Sequence, residues 1–133
     1  MAFLGLGEAR ADSVVAPFTH NSPMLDHASV IGSHQDIHTL ITPIPNGFKI
    51  HARYSNGSGS GAFMCSRTYF RTADHHLIVG SIQPFLVPFG NSTAVRDAEN
   101  LVVLPAAVIS TVAFVEIEQL SAGDDCLAKA KSE

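Results

Sequence analysis

Regular alternation of apolar and polar positions sets in at Gly47. From there Phe48, Ile50, Ala52 and Tyr54 alternate with Lys49, His51 and Arg53, the period-two pattern of a strand with one buried face. The glycine-rich SNGSGSG at 55–61 supplies residues that tolerate positive φ and predicts a hairpin turn. AFMCSRTYF then reads as an aromatic-rich strand. HHLIVGSIQPFLVPF reads as a long strand that Gly80 bends and that Pro84 either ends or confines to a sheet edge. GNSTAVRDAEN reads as a polar loop. LVVLP and STVAFVEIEQL predict two more strands joined through Pro105 and two alanines. In the last of these, Val112, Phe114, Val115 and Ile117 supply the apolar faces, while Glu116 and Glu118 face water. Its β-branched residues favour a strand over a helix.

Before Gly47 the pattern is irregular. Pro17, Pro23 and Gly32 break any long helix. SHQDIHTLI predicts one short helix, with Ser33 as N-cap and Asp36 in the first turn. The chain therefore divides into an N-terminal extension, 1–46, a β-domain, 47–120, and a polar tail, 121–133. Five short strands with Gly-rich turns predict an all-β fold, a small antiparallel barrel or sandwich.

Composition narrows this picture. A chain of 133 residues is most simply one domain. With 46% apolar and only 15% charged residues it can build a core without metal or disulfide help. A formal net charge of −4 argues against gripping duplex DNA, which takes many cationic phosphate contacts. It leaves open the stacking of single-stranded bases on aromatic side chains. No apolar run reaches the length of a membrane span, and MAFLGLGEAR lacks the basic start of a signal peptide. Two cysteines, Cys65 and Cys126, without a CxxC spacing, predict reduced thiols. The expectation is an intracellular protein, cytoplasmic or nuclear. NGSGSG lacks both the lysine of a phosphate loop and the spacing of a dinucleotide fingerprint, so no cofactor is expected.

Histidine is the residue type that invites chemistry. His34 and His38 have the i,i+4 spacing of a zinc pair on a helix, yet no third ligand is in sight and no Glu follows His34. Surface or capping histidines, and no metal, are the expectation. Ser33, His34 and Asp36 are sequence neighbours and do not converge as a catalytic triad. Arg67, Tyr69, Phe70 and Arg71 interleave cations with aromatics, as a base-stacking surface does and as an ordinary half-buried strand also does. In RTADHHLIVG, 71–80, the adjacent His75 and His76 would point to opposite faces of a strand, which weakens a chelate.

From Gly47 to Leu120 the chain resembles the Sm-like proteins. KIHARYSNGSGSGAF resembles the first Sm motif, with Gly57 and Gly61 as its glycines and Phe63 in the following strand. TADHHLIVGSI corresponds to that motif's loop and apolar strand, and NLVVLPAAVISTVAFVEI resembles the second motif. The resemblance implies a small, strongly bent five-stranded antiparallel sheet or barrel behind a short N-terminal helix. It also implies a non-catalytic ribonucleoprotein or protein-interaction subunit in RNA metabolism, with weak binding of single-stranded RNA. The contact residues would be Asp74, His75 and His76, with Arg71 beside them. Pro105 and Ala106 stand where the family has its Arg-Gly, which favours a protein-binding adaptor. Assembly would run through edge strands. The candidate edges are HHLIVGSIQPF and STVAFVEIEQL, the latter presenting Val112, Phe114, Val115 and Ile117. Two rivals stand beside this reading. ADHHLIVGSI is also similar to the loop-strand of flavin reductase split barrels, which would bring His75 near a flavin. The third reading is a self-assembling viral or structural β-subunit.

Overall fold

Eight strands and one helical turn make up the computed structural model, which describes residues 10–32, 34–57, 62–87 and 94–121. The strands are β1 (Arg10–Pro17), β2 (Leu25–Gly32), β3 (Gln35–Ile44), β4 (Gly47–Asn56), β5 (Ala62–Arg71), β6 (Leu77–Val87), β7 (Ala94–Val103) and β8 (Phe114–Ser121). The helix α1 is the single turn Ala106–Ile109. All pairings are antiparallel. Sheet I has the order β1-β8-β5-β6 and sheet II the order β2-β3-β4-β7. The all-β expectation holds. The five-stranded bent sheet does not describe the arrangement, because eight strands divide equally between two sheets facing each other across a core.

The chain starts in sheet I with β1, crosses to sheet II for the β2-β3-β4 meander and returns for the β5-β6 hairpin. It crosses again to lay β7 beside β4, and α1 leads back so that β8 enters between β1 and β5. Residues 10–44, expected to be irregular or briefly helical, therefore supply three of the eight strands. SHQDIHTLI runs mostly in β3, where Ile37, Thr39 and Ile41 point inward and are fully buried. GNSTAVRDAEN, expected to be a loop, includes most of β7. The alternation in these segments is obscured because several inward positions are polar, among them Ser29 and Thr39.

Between the sheets the described residues form two apolar clusters, and a third, of Cys65 and Leu120, lies on the outer side of sheet I. The larger holds Phe18, Ile41, Phe48, Ile50, Phe70, Val102, Val112, Val115 and Ile117. Phe48 is its centre, stacked on Phe70 at 4.4 Å between centroids and tilted against Phe18 at 5.8 Å; such ring pairs add to simple burial. The smaller contains Ile31, Ile37, Ala52, Tyr54 and Met64. Between them runs a polar seam. Ser29 Oγ donates to Gln119 Oε1, and Gln119 Nε2 donates to Thr39 Oγ1 at 2.8 Å and to the His27 carbonyl at 3.2 Å. Thr39 Oγ1 also meets Ser66 Oγ at 2.9 Å, and the Ser66 amide donates to the Tyr54 hydroxyl at 3.2 Å. The seam joins the two sheets and gives these buried polar groups partners, as burial demands.

Two local features set strand ends. Pro45 and Asn46 form the two-residue connection between the paired Ile44 and Gly47. A Cβ on Gly47 would lie 1.8 Å from the Val102 carbonyl oxygen, so only glycine fits where β4 passes β7. Pro105 starts α1, its carbonyl accepting from the Val108 and Ile109 amides at 2.9 and 3.0 Å. Val112, just beyond that turn, is buried in the larger cluster.

Candidate functional site

The outer faces of the two sheets differ. On sheet I, the alternation points Cys65, Arg67, Tyr69 and Leu120 away from the inter-sheet core, yet all four are buried. Arg67 pairs there with Glu118, and Arg71 Nη2 with Glu116 Oε1 at 3.0 Å. Glu116 and Glu118, expected to face water alone, are thus the partners of the two arginines. Cys65 is disulfide-bonded instead of carrying the expected thiol. That removes the redox argument for an intracellular location, since disulfides persist in oxidising compartments. Cys126, like most of the 121–133 tail, lies outside the described residues, as do the glycine-rich residues 58–61.

Sheet II presents an open face. Cross-strand register aligns Ala28, His38, Arg53 and Asp97 in one row, and Asp26, Leu40, His51 and Glu99 in the next. Opposite charges consequently meet between neighbouring strands. His38 holds Asp26. Asp97 Oδ1 is shared by His51 Nε2 at 2.8 Å and Arg53 Nε at 3.0 Å, and Lys49 lies 3.9 Å from Glu99. The hydrogen bonds from His51 and then Arg53 hold the Asp97 carboxyl below its ordinary range. The small Ala28 and Ser55 leave a concavity of about 380 Å³, rimmed by Val30, Asp36, His38 and Arg53. These pairs are exposed, and each contributes little to stability.

The edges carry a different signal. The large apolar side chains exposed among the described residues are Val15 on β1, Met24 and Val30 at β2, Leu77 on β6, and Val95, Leu101 and Val103 on β7. All lie on, or one residue from, the four edge strands, and none is on β3, β4, β5 or β8. Leu101 and Val103 are 56% and 61% exposed and Val30 is 69% exposed, values that scatter on a monomer's surface seldom concentrates this way. The sequence alone does not single them out: Val95 falls in the expected loop GNSTAVRDAEN, Val15, Met24 and Val30 in the segment expected to be irregular, and Leu77, Leu101 and Val103 in expected strands whose outward faces it does not assign. On β7 a signal was there in the odd-numbered run Val95, Asp97, Glu99, Leu101, Val103.

The expected contact residues do gather in one place. Thr72 to His76 closes the β5-β6 hairpin: the Thr72 amide donates to the His76 carbonyl at 2.9 Å and the His75 amide to the Thr72 carbonyl at 2.8 Å. His75 takes the left-handed φ of 65° and its ring stacks on Phe114 at 4.3 Å. Asp74, His75 and His76 are exposed. Arg71 bonds the His75 carbonyl at 3.1 Å and Glu116 Oε1, bracing the turn. His75 and His76 thus shape a turn rather than forming a chelate.

The expected interface residues are placed elsewhere. Val112, Val115 and Ile117 are core residues at 3%, 1% and 0% exposure. β8 is paired on both sides, by β1 and β5, so it has no free edge to offer a partner. Phe114 is half-buried against His75. Of the two expected edges, only β6 is one. His34 and His38 are not on a helix: His34 sits in the turn before β3 with a left-handed φ of 57°, and His38 lies within β3 with its Nε2 engaged by Asp26. Among the described residues no group of three His, Cys, Asp or Glu is placed to hold a metal. No helix among them is long and apolar enough to cross a membrane.

No protein-family model and no curated protein matches the sequence. Among solved structures the chain is similar to the enzymatically active domain of tailspike protein 4 of bacteriophage CBA120, with a TM-score of 0.31 and 9% sequence identity. The match covers 85% of this chain and 17% of that one. A likeness at that level carries no functional argument.

Proposed function

We propose that this chain is a non-catalytic β-sandwich subunit that acts by protein–protein assembly through its edge strands. The observation that carries the reading is the confinement of exposed large apolar side chains to those strands. An unpaired strand edge offers a row of amides and carbonyls, and apolar side chains beside it add burial when a further strand docks. The histidine–carboxylate pairs on sheet II serve as cross-strand ties in this reading, with the Nε2 atoms of His38 and His51 already engaged by Asp26 and Asp97. The RNA contact implied by the Sm-like resemblance draws no added support from the hairpin, whose cation is engaged by Glu116 and the His75 carbonyl.

Sedimentation velocity over a hundredfold concentration range tests the reading. The wild type is expected to form species heavier than a monomer, and Leu101→Lys with Val103→Lys to shift it toward monomer without loss of thermal stability. A wild type that stays monomeric at every concentration would end it.

A further inference from the structure

Each sheet has four antiparallel strands, so its two edge strands run in opposite directions. A second copy translated sideways therefore brings its β2 antiparallel to the first copy's β7, and its β1 antiparallel to β6. The geometry matches in register as well. In sheet II one row runs Val30, Asp36, Ser55, Val95, with exposed apolar residues at both ends. Another row, Thr42, Lys49, Leu101, lies in line with the exposed Met24, the residue before β2. In sheet I the row Pro17, Phe114, Arg71, Leu77 again ends on apolar residues. Sideways continuation of the rows would set Val30 against Val95, Met24 against Leu101, and Pro17 against Leu77.

Both flanks of the sandwich are also tied into units that dock as one surface. Asn100 Nδ2 on β7 donates to Ser81 Oγ on β6 at 2.6 Å, and His27 on β2 holds Asp12 on β1. Of the two intervening rows on this face, one would oppose Ala28 and Asp97 and the other Asp26 and Glu99. Asp26 and Glu99 each already have a partner on their own sheet, His38 for Asp26, and Lys49 for Glu99 at 3.9 Å. Pairing β7 with itself about a two-fold at Glu99 or Ala98 instead buries neither Met24 nor Val30, leaving the exposed apolar residues of the β2 edge uncovered.

We propose that the partner at these edges is a second copy of this chain, docked head to tail with its β1/β2 flank on the β6/β7 flank of the first. This rests on the assembly reading above and narrows it. Such a contact is heterologous, and it closes into a ring or continues as a filament according to the rotation between copies.

Two variants blocked at one flank each decide the matter: Met24→Lys with Val30→Lys, and Val95→Lys with Leu101→Lys. All four positions are exposed, and circular dichroism with thermal unfolding checks that each variant folds. Sedimentation of the full chain is expected to show wild-type assemblies, each variant alone as a monomer, and their equimolar mixture as a dimer that grows no further. A blocked variant that dimerises alone indicates a two-fold contact and overturns the head-to-tail proposal while leaving edge assembly standing. A mixture that stays monomeric beside an assembling wild type overturns it equally. Variants that both assemble like the wild type overturn it together with the edge reading, and a monomeric wild type sinks that reading itself.

Discussion

Tyr54 shows how much one inward position of a strand can carry. Its alternation with Lys49, His51 and Arg53 placed it in the core, and it is fully buried. Its hydroxyl accepts the Ser66 amide, which ties β4 to β5 across the two sheets. Burial pushes the phenol well above its ordinary 10.0, the Ser66 bond opposing only part of that effect. The folded state thus keeps a proton that the unfolded chain releases near 10.0, so the stabilisation is present below that pH and is lost as pH rises beyond it. Thermal midpoints are expected to fall steeply in that alkaline range, and Tyr54→Phe to flatten the fall. The same variant removes the acceptor of a buried amide and is expected to cost about 1–3 kcal/mol at neutral pH. An alkaline profile unchanged by Tyr54→Phe would show that another group controls it.

Strands were legible where their inward positions were apolar and obscure where they were not. β4 was read directly from Phe48, Ile50, Ala52 and Tyr54. β2 was not, because Leu25, His27, Ser29 and Ile31 mix polar with apolar residues on the inward side, Ser29 being a member of the buried seam. β7 is hidden by its edge position: among its described side chains only Ala98 and Val102 supply apolar burial, and its outward residues include Asp97 and Glu99. The apolar run of β8 was read correctly as a strand but misplaced as an edge, since the strand that covers its other side, β1, comes from the segment expected to be irregular. Hydrogen exchange separates these roles. Amides of β8, paired on both sides, are expected to be among the slowest to exchange, and the outward-directed amides of β7 among the fastest within strands. Assembly at high protein concentration is expected to slow the β7 amides and leave β8 unchanged. Fast exchange throughout β8 would contradict its central place.

At the scale of the molecule, the two sheets are held together by two apolar clusters and by the seam through Gln119. This side chain is fully buried and meets Ser29, Thr39 and the His27 carbonyl, all on sheet II, from its place on sheet I. Gln119→Leu keeps nearly the same volume but removes the acceptor of Ser29 Oγ and the donor to Thr39 Oγ1 and the His27 carbonyl, which is expected to cost on the order of 3 kcal/mol. Urea unfolding with an unchanged slope is the appropriate measure, and a loss under about 0.5 kcal/mol would show the seam to be energetically idle. The sequence by itself determined that the protein is built of strands and which residues of β4 face inward, and it narrowed Pro84 to a strand end or an edge strand, because strand periodicity and proline geometry act within a few residues. Only the tertiary structure decided that there are two sheets, that β8 is central and that Arg71 braces a turn. It also decided that the exposed apolar residues line the edges. These depend on which strands pair across long separations in the chain, and pairing is set by the combined burial of both partners, a quantity no local pattern contains.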